Sequence, residues 1–266
     1  MGAKRVLLTG AAGTLGRVVT PALVERYGAL LLTDLVDISG DLPSGARFER
    51  ADLRDAAAIA RLAQGMDAIV HFGGINTEQP FETILDGNIV GTFNIFEAAR
   101  QAGARVVYAS SNHTIGFYPR GEALTTSSAY RPDGFYGLSK IYCEMLGRLY
   151  YDKHGVESVH LRIGSCLPRP TDARHLATWL SYPDLVRLVL SAIEAPAPGF
   201  ALVWGISAND AAWWHGDDAA RIGYRPADKA ETYRAEIPEA TKDQGVAARY
   251  QGSRFVALGS SRGESE

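Results

Sequence analysis

The chain has 266 residues, of which 46% are hydrophobic and 21% are charged, and its formal net charge is −3 at pH 7. That length suits one large α/β domain, or a core domain with a small appendage. The small, dispersed charge and the lack of an apolar run of roughly 20 residues predict no nucleic-acid or membrane partner and a cytoplasmic location. Cys143 and Cys166 have neither metal-ligand spacing nor a disulfide pattern, so we expect no metal site.

A glycine-rich turn lies near the start of the chain. Residues 4–9 are typical of a buried parallel strand, and residues 17–26 have helical apolar spacing. Between them, glycines would let the backbone turn tightly and approach a pyrophosphate at a helix N-terminus. The pattern could be an ordinary tight turn, but the strand before it and the helix after it favour dinucleotide binding. The residues that we expect to bind the cofactor here are Gly10, Gly13, Thr14, Leu15 and Gly16.

Asp34 follows a second predicted strand at residues 29–33. It stands about 18 residues beyond Gly16, where an acidic side chain accepts hydrogen bonds from the adenosine ribose and repels a 2′-phosphate. This position favours NAD over NADP. Arg17 is a mild signal in the other direction, although an exposed helical arginine explains it as well.

The alternation of strands and helices continues through the first half of the chain. Further predicted elements are a strand at 47–51, a helix at 57–64, a strand at 67–72 and a long helix at 81–101. Asp52 and Leu53 follow the third strand, where we expect them beside the adenine. Phe72, Gly73 and Gly74 end the fourth strand, and small residues there favour backbone lying against the cofactor. This alternation predicts an α/β fold with a doubly wound, Rossmann-like parallel sheet.

Polar side chains follow a fifth predicted strand, at residues 104–109. In open α/β sheets, ligands bind outside the carboxyl ends of the strands. Ser111, Asn112 and His113 therefore bring hydroxyl, amide and imidazole groups to the expected site, where they suit a polyhydroxylated substrate. A serine- and asparagine-rich turn without a ligand is the alternative interpretation.

Tyr136 and Lys140 are four residues apart in a predicted helix that ends near residue 154, so they share one face. Ionising a tyrosine at pH 7 requires a pKa shift of roughly 3 units, or about 4 kcal/mol. A nearby ammonium group supplies part of this stabilisation, and a bound cationic nicotinamide adds to it. The spacing also occurs by chance on surface helices, so it indicates a base only together with the preceding features.

In combination, these features resemble the extended short-chain dehydrogenase/reductase superfamily over nearly the whole chain. Within that superfamily, the chain resembles the NAD-dependent uronate dehydrogenases. The runs that carry this resemblance are GGI at 73–75, ASSNHTIG at 109–116, RPDG at 131–134, RIGSC at 162–166 and WGISANDAAWW at 204–214. Asn76 is one departure, because that family has serine there, but either side chain can hydrogen-bond a sugar hydroxyl.

The resemblance implies roles for individual residues. Tyr136 would be the acid/base, Lys140 would activate the phenol and bind ribose, and Ser111 would polarise the substrate oxygen. Tyr136 and Lys140 would thus touch the cofactor as well. Additional cofactor contacts are expected at Ile75, Asn88 and Ile163.

Arg174 is our choice for binding a uronate carboxylate, because a guanidinium group can donate two parallel hydrogen bonds to it. It lies in a polar stretch after a sixth predicted strand, at 158–163, which ends near Ser165. Arg169 is the competing candidate, whereas Arg162 is interpreted as a structural residue of the strand. A loop arginine is often only solvated, so the family match carries this choice.

The sequence thus predicts an oxidoreductase that transfers hydride from C1 of a cyclic hexuronic acid, galacturonate or glucuronate, to NAD and forms the aldarolactone. An NAD-retaining nucleotide-sugar epimerase and a non-catalytic dinucleotide-binding regulator are the alternatives. We expect Asn76, Asn112, His113, Ser165 and Arg174 to orient the sugar.

For the organisation of the chain, we predict an NAD-binding core at residues 1–165, with the catalytic serine, tyrosine and lysine. A small substrate-side region would follow at 166–266, with residues 259–266 as a frayed tail. The helices at 81–101 and 136–154 are those that superfamily members commonly pair across a dimer, so we expect a homo-oligomer.

Overall fold

The computed structural model describes residues 4–259. The strands are β1 (Val6–Thr9), β2 (Leu30–Thr33), β3 (Ala46–Phe48), β4 (Ala68–His71), β5 (Arg105–Ser111), β6 (Leu124–Thr125), β7 (Ser158–Ile163), β8 (Ser165–Cys166), β9 (Trp179–Leu180), β10 (Phe200–Gly205) and β11 (Trp214–His215). The helices are α1 (Thr14–Tyr27), α2 (Ala56–Ala63), α3 (Phe81–Ile84), α4 (Gly91–Ala102), α5 (Phe135–His154), α6 (His175–Thr178), α7 (Tyr182–Glu194) and α8 (Ala219–Ile222). Within these residues, no helix is both long enough and apolar enough to cross a bilayer.

A parallel sheet organises the described part of the chain. Its seven strands follow the order β10-β7-β5-β4-β1-β2-β3. Leu7 of β1 is in register with Leu31 of β2 on one side and with Ile69 of β4 on the other. The direction of winding therefore reverses beside β1, and a crevice opens there at the carboxyl ends of the strands. The predicted doubly wound α/β fold is confirmed.

Helices cover both faces of this sheet, which is why its strands are apolar on both sides. Val6 and Leu8 of β1 point to one face, where they belong to a core with helices α1 and α7. Leu7 points to the other face and joins a core that includes Ile59 of α2 and Phe96 of α4. Each fully buried leucine contributes roughly 1.5–3 kcal/mol of hydrophobic stabilisation, so the alternation along β1 fixes its register.

The region predicted as a helix at 81–101 is helical throughout, but it is not a regular α-helix. It consists of α3, a π-helical segment at Leu85–Val90, and α4. Within the π-helical segment, the Asn88 side chain accepts a hydrogen bond from the Ile75 amide (2.7 Å) and donates one to the Ile75 carbonyl (3.1 Å). The apolar spacing in the sequence carries no information about such a long-range amide contact, so it predicted a regular helix.

Elements beyond residue 165 contribute to the main sheet and also to smaller units. Strand β10 pairs with β7 at the edge of the sheet, and α7 packs on one face. Two short parallel pairs, β6 with β11 and β8 with β9, form separate two-stranded sheets. The division at residue 165 stays a prediction, and the predicted tail at 259–266 lies outside the described residues except for Gly259.

Candidate active site

Three adjoining clefts follow the carboxyl edge of the sheet, and they share Gly73 and Gly74. The largest, of about 520 Å³, contains Asp34 and the loop after β3. A cleft of about 300 Å³ lies along the glycine turn, and one of about 190 Å³ lies at the ends of β5 and β7. Of the predicted cofactor-binding residues, these clefts are lined by Gly10, Gly13, Thr14, Leu15, Gly16, Asp34, Asp52, Leu53, Phe72, Gly73, Gly74, Ile75, Tyr136, Lys140 and Ile163.

The glycine turn brings two strand ends close together. Gly10 has a φ of 70°, which favours glycine, and a Cβ there would overlap the backbone of Phe72 and Gly73. The Gly13 amide donates to the Gly10 carbonyl at 3.1 Å, and α1 begins at Thr14. The N-terminus of α1 therefore opens into the cleft along the glycine turn, where the amide groups of its first turn and its helix dipole suit a pyrophosphate.

Asp34 is fixed at the junction of two clefts. Its carboxylate accepts hydrogen bonds from the backbone amides of Ala12 (2.9 Å), Leu35 (2.7 Å) and Val36 (3.3 Å). Asp52 lines the same large cleft, and its bond with the Arg54 guanidinium (2.6 Å) lowers the pKa of its carboxyl group. Negative charge at this end of the clefts fits a free ribose and disfavours a 2′-phosphate.

Ser111, Tyr136 and Lys140 lie together in the smallest cleft. All three are buried, with 5%, 7% and 6% of their surfaces exposed. The Lys140 Nζ donates to the Ala109 carbonyl at 2.9 Å and lies 5.4 Å from the centre of the Tyr136 ring. The end of β5 and the first turns of α5 thus bring a hydroxyl, a phenol and an ammonium group to one place.

The surroundings of Tyr136 oppose its ionisation. Burial raises its pKa to about 12; the Ser111 hydroxyl acts in the opposite direction, and the charge of Asp133 adds to the rise. Forming the phenolate at pH 7 then costs about 7 kcal/mol, at 1.36 kcal/mol for each pKa unit. Burial also lowers the pKa of Lys140 to about 8, so this side chain is mostly an ammonium ion at neutral pH. A further positive charge beside the phenol would favour the phenolate.

His113 is oriented by a buried carboxylate that sequence reasoning missed. Its Nδ1 lies 2.6 Å from Asp133 Oδ2, and the Asp133 side chain is fully buried. A carboxylate oxygen is the partner of Nδ1, so Nδ1 acts as the donor in this contact, and in the tautomer with its proton on Nδ1 the other ring nitrogen, Nε2, is an acceptor. Phe255 stacks on the imidazole at 3.8 Å and also lies near the Tyr136 ring. Asp133 belongs to the run at 131–134, but nothing in the sequence links Phe255 to this site.

Arg174 lies directly before α6 and is buried, with 9% of its surface exposed. Its guanidinium donates to the Gln251 carbonyl from Nη2 (2.7 Å) and Nε (3.3 Å), and Nη1 donates to Ser165 Oγ (2.8 Å). With the Asn112 amide oriented so that its nitrogen donates to the Ile163 carbonyl, its oxygen accepts from Nη2 at 3.3 Å. Burial lowers the pKa of Arg174 to about 10, so the group remains a cation at neutral pH.

The sugar-binding residues predicted from the sequence are brought together in two layers. Asn76, Ser111, Asn112, His113 and Tyr136 line the smallest cleft. Behind them, Ser165 and Arg174 bond to one another, and Arg174 reaches Asn112. Among residues 4–259, no carboxylate forms an ion pair with Arg174. The cleft therefore backs onto a buried cation that has no direct ion pair among these residues, although the charges of Asp243, Asp172 and Asp133 stabilise it from a greater distance.

The other arginines have different surroundings. Arg162 is fully buried and donates from Nε (2.9 Å) and Nη2 (2.8 Å) to the two oxygens of Glu144. The Ser110 hydroxyl donates to the same carboxylate, so this pair supports the end of β5 beneath Ser111. Arg169 is 66% exposed and lies 3.7 Å from Glu236. Arg162 is thus structural, and Arg169 is not among the residues that line the cleft.

Asn88, predicted to contact the cofactor, is only 2% exposed. Its amide group bonds to the backbone of Ile75 and donates to Ser139 Oγ at 2.9 Å. It therefore holds the loop that lines the clefts from behind, and its cofactor contact stays a prediction.

The arrangement can bind a dinucleotide along the edge of the sheet and a small polar molecule at its end. There the phenol, hydroxyl and ammonium groups are suited to removing a proton from an alcohol.

Comparison with known proteins agrees with this geometry. The NAD dependent epimerase/dehydratase family matches residues 6–231.

Individual relatives match nearly the whole chain. The chain is 47% identical to a uronate dehydrogenase of Agrobacterium fabrum, over 95% of this chain and 97% of the relative. It is 44% identical to a uronate dehydrogenase of Pseudomonas syringae pv. tomato, over 96% and 94%. Among solved structures, a mutant of uronate dehydrogenase from Agrobacterium tumefaciens complexed with NAD has a TM-score of 0.91 and 45% identity, over 96% of this chain and 98% of that one.

Proposed function

The chain belongs to the NAD dependent epimerase/dehydratase family and, within it, to the uronate dehydrogenases, and from that membership we propose that it oxidises C1 of a cyclic hexuronic acid. NAD, when bound, supplies the hydride acceptor. The product of this two-electron oxidation of a ring hemiacetal is the aldarolactone. Galacturonate and glucuronate, which differ at one hydroxyl, are both candidate substrates.

The observation that carries this proposal is the buried Arg174 cation behind the cleft. A charge in such a place is costly unless it is paired, because burial disfavours the ionised form. A uronate carboxylate would give this cation a direct anionic partner, whereas a neutral sugar would not. Ser165 and Asn112, which already bond to the guanidinium, extend the polar surface from Arg174 to the reacting end of the cleft.

In the proposed mechanism, Tyr136 removes the proton from the C1 hydroxyl as the carbon is oxidised. The Ser111 hydroxyl donates a hydrogen bond to the C1 oxygen and stabilises its negative charge. Lys140, held by the Ala109 carbonyl, keeps a positive charge beside the phenol and favours the phenolate. His113 accepts a hydrogen bond from a sugar hydroxyl through Nε2, and Asn76 supports the ring from the exposed loop.

The glycine turn and Asp34 support NAD as the cofactor. The backbone amide groups at the start of α1 would hold the pyrophosphate, and the Asp34 carboxylate would accept hydrogen bonds from the adenosine ribose. Leu53, Phe72 and Ile163 would pack against its apolar parts. The predicted roles of these residues are part of the proposal.

The cleft at the ends of β5 and β7 has a volume of about 190 Å³, which suits a monosaccharide. The intact group of Ser111, Tyr136 and Lys140 argues against a non-catalytic regulator.

A homo-oligomer remains part of the proposal, and an exposed apolar surface supports it. On α5 this surface consists of residues at helical spacing, which are 37–52% exposed: Phe135, Leu138, Tyr142, Met145 and Leu149. Phe81, Val90 and Phe93 are exposed on the preceding helical segments. An exposed apolar surface of this kind is typical of a protein interface, and light scattering measures the assembly directly. The cytoplasmic location stays a prediction from the sequence.

The test of the proposed function is NADH formation with a panel of substrates. Purified protein is supplied with NAD and, separately, with galacturonate, glucuronate, galactose, glucose and UDP-glucose. We expect NADH with one or both uronates at a kcat/KM far above that for the neutral sugars. Turnover of UDP-glucose without net NADH would favour the epimerase, and no reaction with any of these compounds would contradict a dehydrogenase acting on uronates.

A further inference from the structure

The helix that carries Tyr136 lacks a cap from its own end of the chain. The first turn of an α-helix has four amide groups without intrahelical acceptors, and a local Ser, Thr, Asp or Asn usually binds one of them. Helix α5 has Gly134 at this position, without a side-chain cap. Asp133, the nearest residue of capping type, is directed to His113 instead. The first turn must therefore be stabilised from elsewhere.

Glu78 provides that stabilisation across a long stretch of sequence. One of its carboxylate oxygens accepts a hydrogen bond from the Phe135 amide (2.8 Å), and the other accepts one from the Tyr136 amide (2.9 Å). A Cβ on Gly134 would overlap this carboxylate, and the three nearest atoms are all in Glu78. The glycine at position 134 thus leaves room for Glu78. The negative charge of the Glu78 carboxylate also complements the positive end of the helix dipole.

The loop that carries Glu78 is tied to α5 at a second point. Its Ile75 backbone bonds to the Asn88 amide group, which donates to Ser139 one turn beyond Tyr136. Asn76, which lines the sugar cleft, lies between these two connections. Because both connections lead to the first turns of α5, the loop and the Tyr136 phenol share one rigid support.

We propose that Glu78 is a positioning residue, whose carboxylate holds Tyr136 in a fixed place relative to the loop that contacts sugar and cofactor. The inference rests on the proposed function, because it presumes that Tyr136 removes the proton. A displacement of about 1 Å at a reacting group can lower a rate by about a hundredfold. Loss of the Glu78 carboxylate is therefore expected to slow the chemical step and to leave the cofactor cleft largely unchanged.

Glu78→Gln is the first test, with Glu82→Gln as its matched control, because Glu82 is an exposed glutamate of the following helix. The amide keeps the size of the side chain but loses its charge and one of its two acceptors. We expect kcat with galacturonate to fall by roughly tenfold to a hundredfold, while the Kd for NAD changes by less than about threefold. The deuterium isotope effect on kcat, measured with galacturonate deuterated at C1, is expected to increase. Glu82→Gln is expected to match the natural protein.

A double-mutant cycle with Gly134→Ala tests the contact itself. The backbone at residue 134 is extended (φ −178°), so alanine is tolerated there, but its Cβ displaces the Glu78 carboxylate. We expect Gly134→Ala alone to lower kcat about as much as Glu78→Ala. In the Glu78→Ala background, where the space is free, the same change is expected to cost less than about twofold.

The inference is overturned if Glu78→Gln retains the natural kcat, or if the effects of Gly134→Ala and Glu78→Ala multiply in full. An equal loss of NAD affinity and kcat in Glu78→Gln also overturns it, because that result indicates a general structural role. Failure of the proposed function is a different result, in which the natural protein itself forms no NADH with uronates.

Discussion

Replacing Arg174 by alanine is expected to remove the preference for charged sugars. The guanidinium already donates to Gln251, Ser165 and Asn112, so we count one charge-assisted hydrogen bond to a uronate carboxylate, which contributes about 1.5–3 kcal/mol. The expected loss for a uronate is therefore roughly 10- to 10²-fold in kcat/KM, since each 1.4 kcal/mol is tenfold. The pKa of about 10 keeps Arg174 charged at the pH of such an assay.

Part of the loss is independent of the substrate, because Arg174 also bonds to the Gln251 carbonyl and to Ser165. The assay therefore compares kcat/KM for galacturonate and galactose in the natural protein and in Arg174→Ala, following NADH. Arg169→Ala is the matched control, because this arginine is 66% exposed and lies outside the cleft. Equal loss with galacturonate and galactose would refute the assignment of a carboxylate-binding site, as would a selective loss in Arg169→Ala.

Tyr136→Phe is expected to lower kcat by at least about a thousandfold, because it removes a general base and the orientation that this base provides. Its affinity for NAD, measured by calorimetry, is expected to stay within about threefold of that of the natural protein. Retained turnover would exclude Tyr136 as the base. Lys140→Met removes a positive charge beside the phenol, so we expect it to raise the pKa of Tyr136. The rising limb of the pH–kcat profile should therefore move to higher pH. An unchanged pH–kcat profile would contradict the role of Lys140. Glu144→Gln leaves the fully buried Arg162 unpaired and should lower the free energy of unfolding by about 3–5 kcal/mol in urea titrations. Replacing both residues by methionine should recover most of this lost stability. An unchanged free energy of unfolding in Glu144→Gln would contradict the importance of the buried ion pair.

The raised pKa of Tyr136 explains why the cofactor is expected to bind before proton removal. In the described surroundings, burial outweighs the Ser111 hydroxyl, and the phenol remains protonated at neutral pH. The Lys140 ammonium lies 5.4 Å from the ring and is itself desolvated, so it only partly offsets the burial of the phenol. A cationic nicotinamide in the adjoining cleft supplies further positive charge, which favours the phenolate only in the complex.

The parts of the site that could be predicted from the sequence depend on local patterns. The glycine turn, Asp34 and the ends of β4 and β5 follow apolar strands directly, so their place at the carboxyl edge follows from the alternation of strands and helices. Tyr136 and Lys140 share a helix face, because their spacing alone determines it. For such features, the spacing of apolar residues predicts the fold class and the place of each residue, because that spacing has a period of two in strands and 3.6 in helices.

The remaining parts depend on contacts between distant residues. Glu78 caps α5 from 57 residues away, and the Gln251 carbonyl meets Arg174 from 77 residues away. No local pattern encodes either bond. The π-helical segment at Leu85–Val90 does not follow from the apolar spacing either, and the contact between its Asn88 side chain and the Ile75 backbone spans 13 residues. Only the family resemblance points to Arg174, whose burial depends on residues far away in the sequence, such as Gln251.

The central claim is that hydride leaves C1 of a uronic acid while Tyr136 takes the proton. Galacturonate deuterated at C1 tests it most directly, with mass spectrometry of the reduced cofactor. We expect the deuterium to be transferred to NADH in a one-to-one ratio with turnover, and the transfer to disappear in Tyr136→Phe. Reduced cofactor without deuterium would place the oxidation at another carbon and would contradict the proposed reaction.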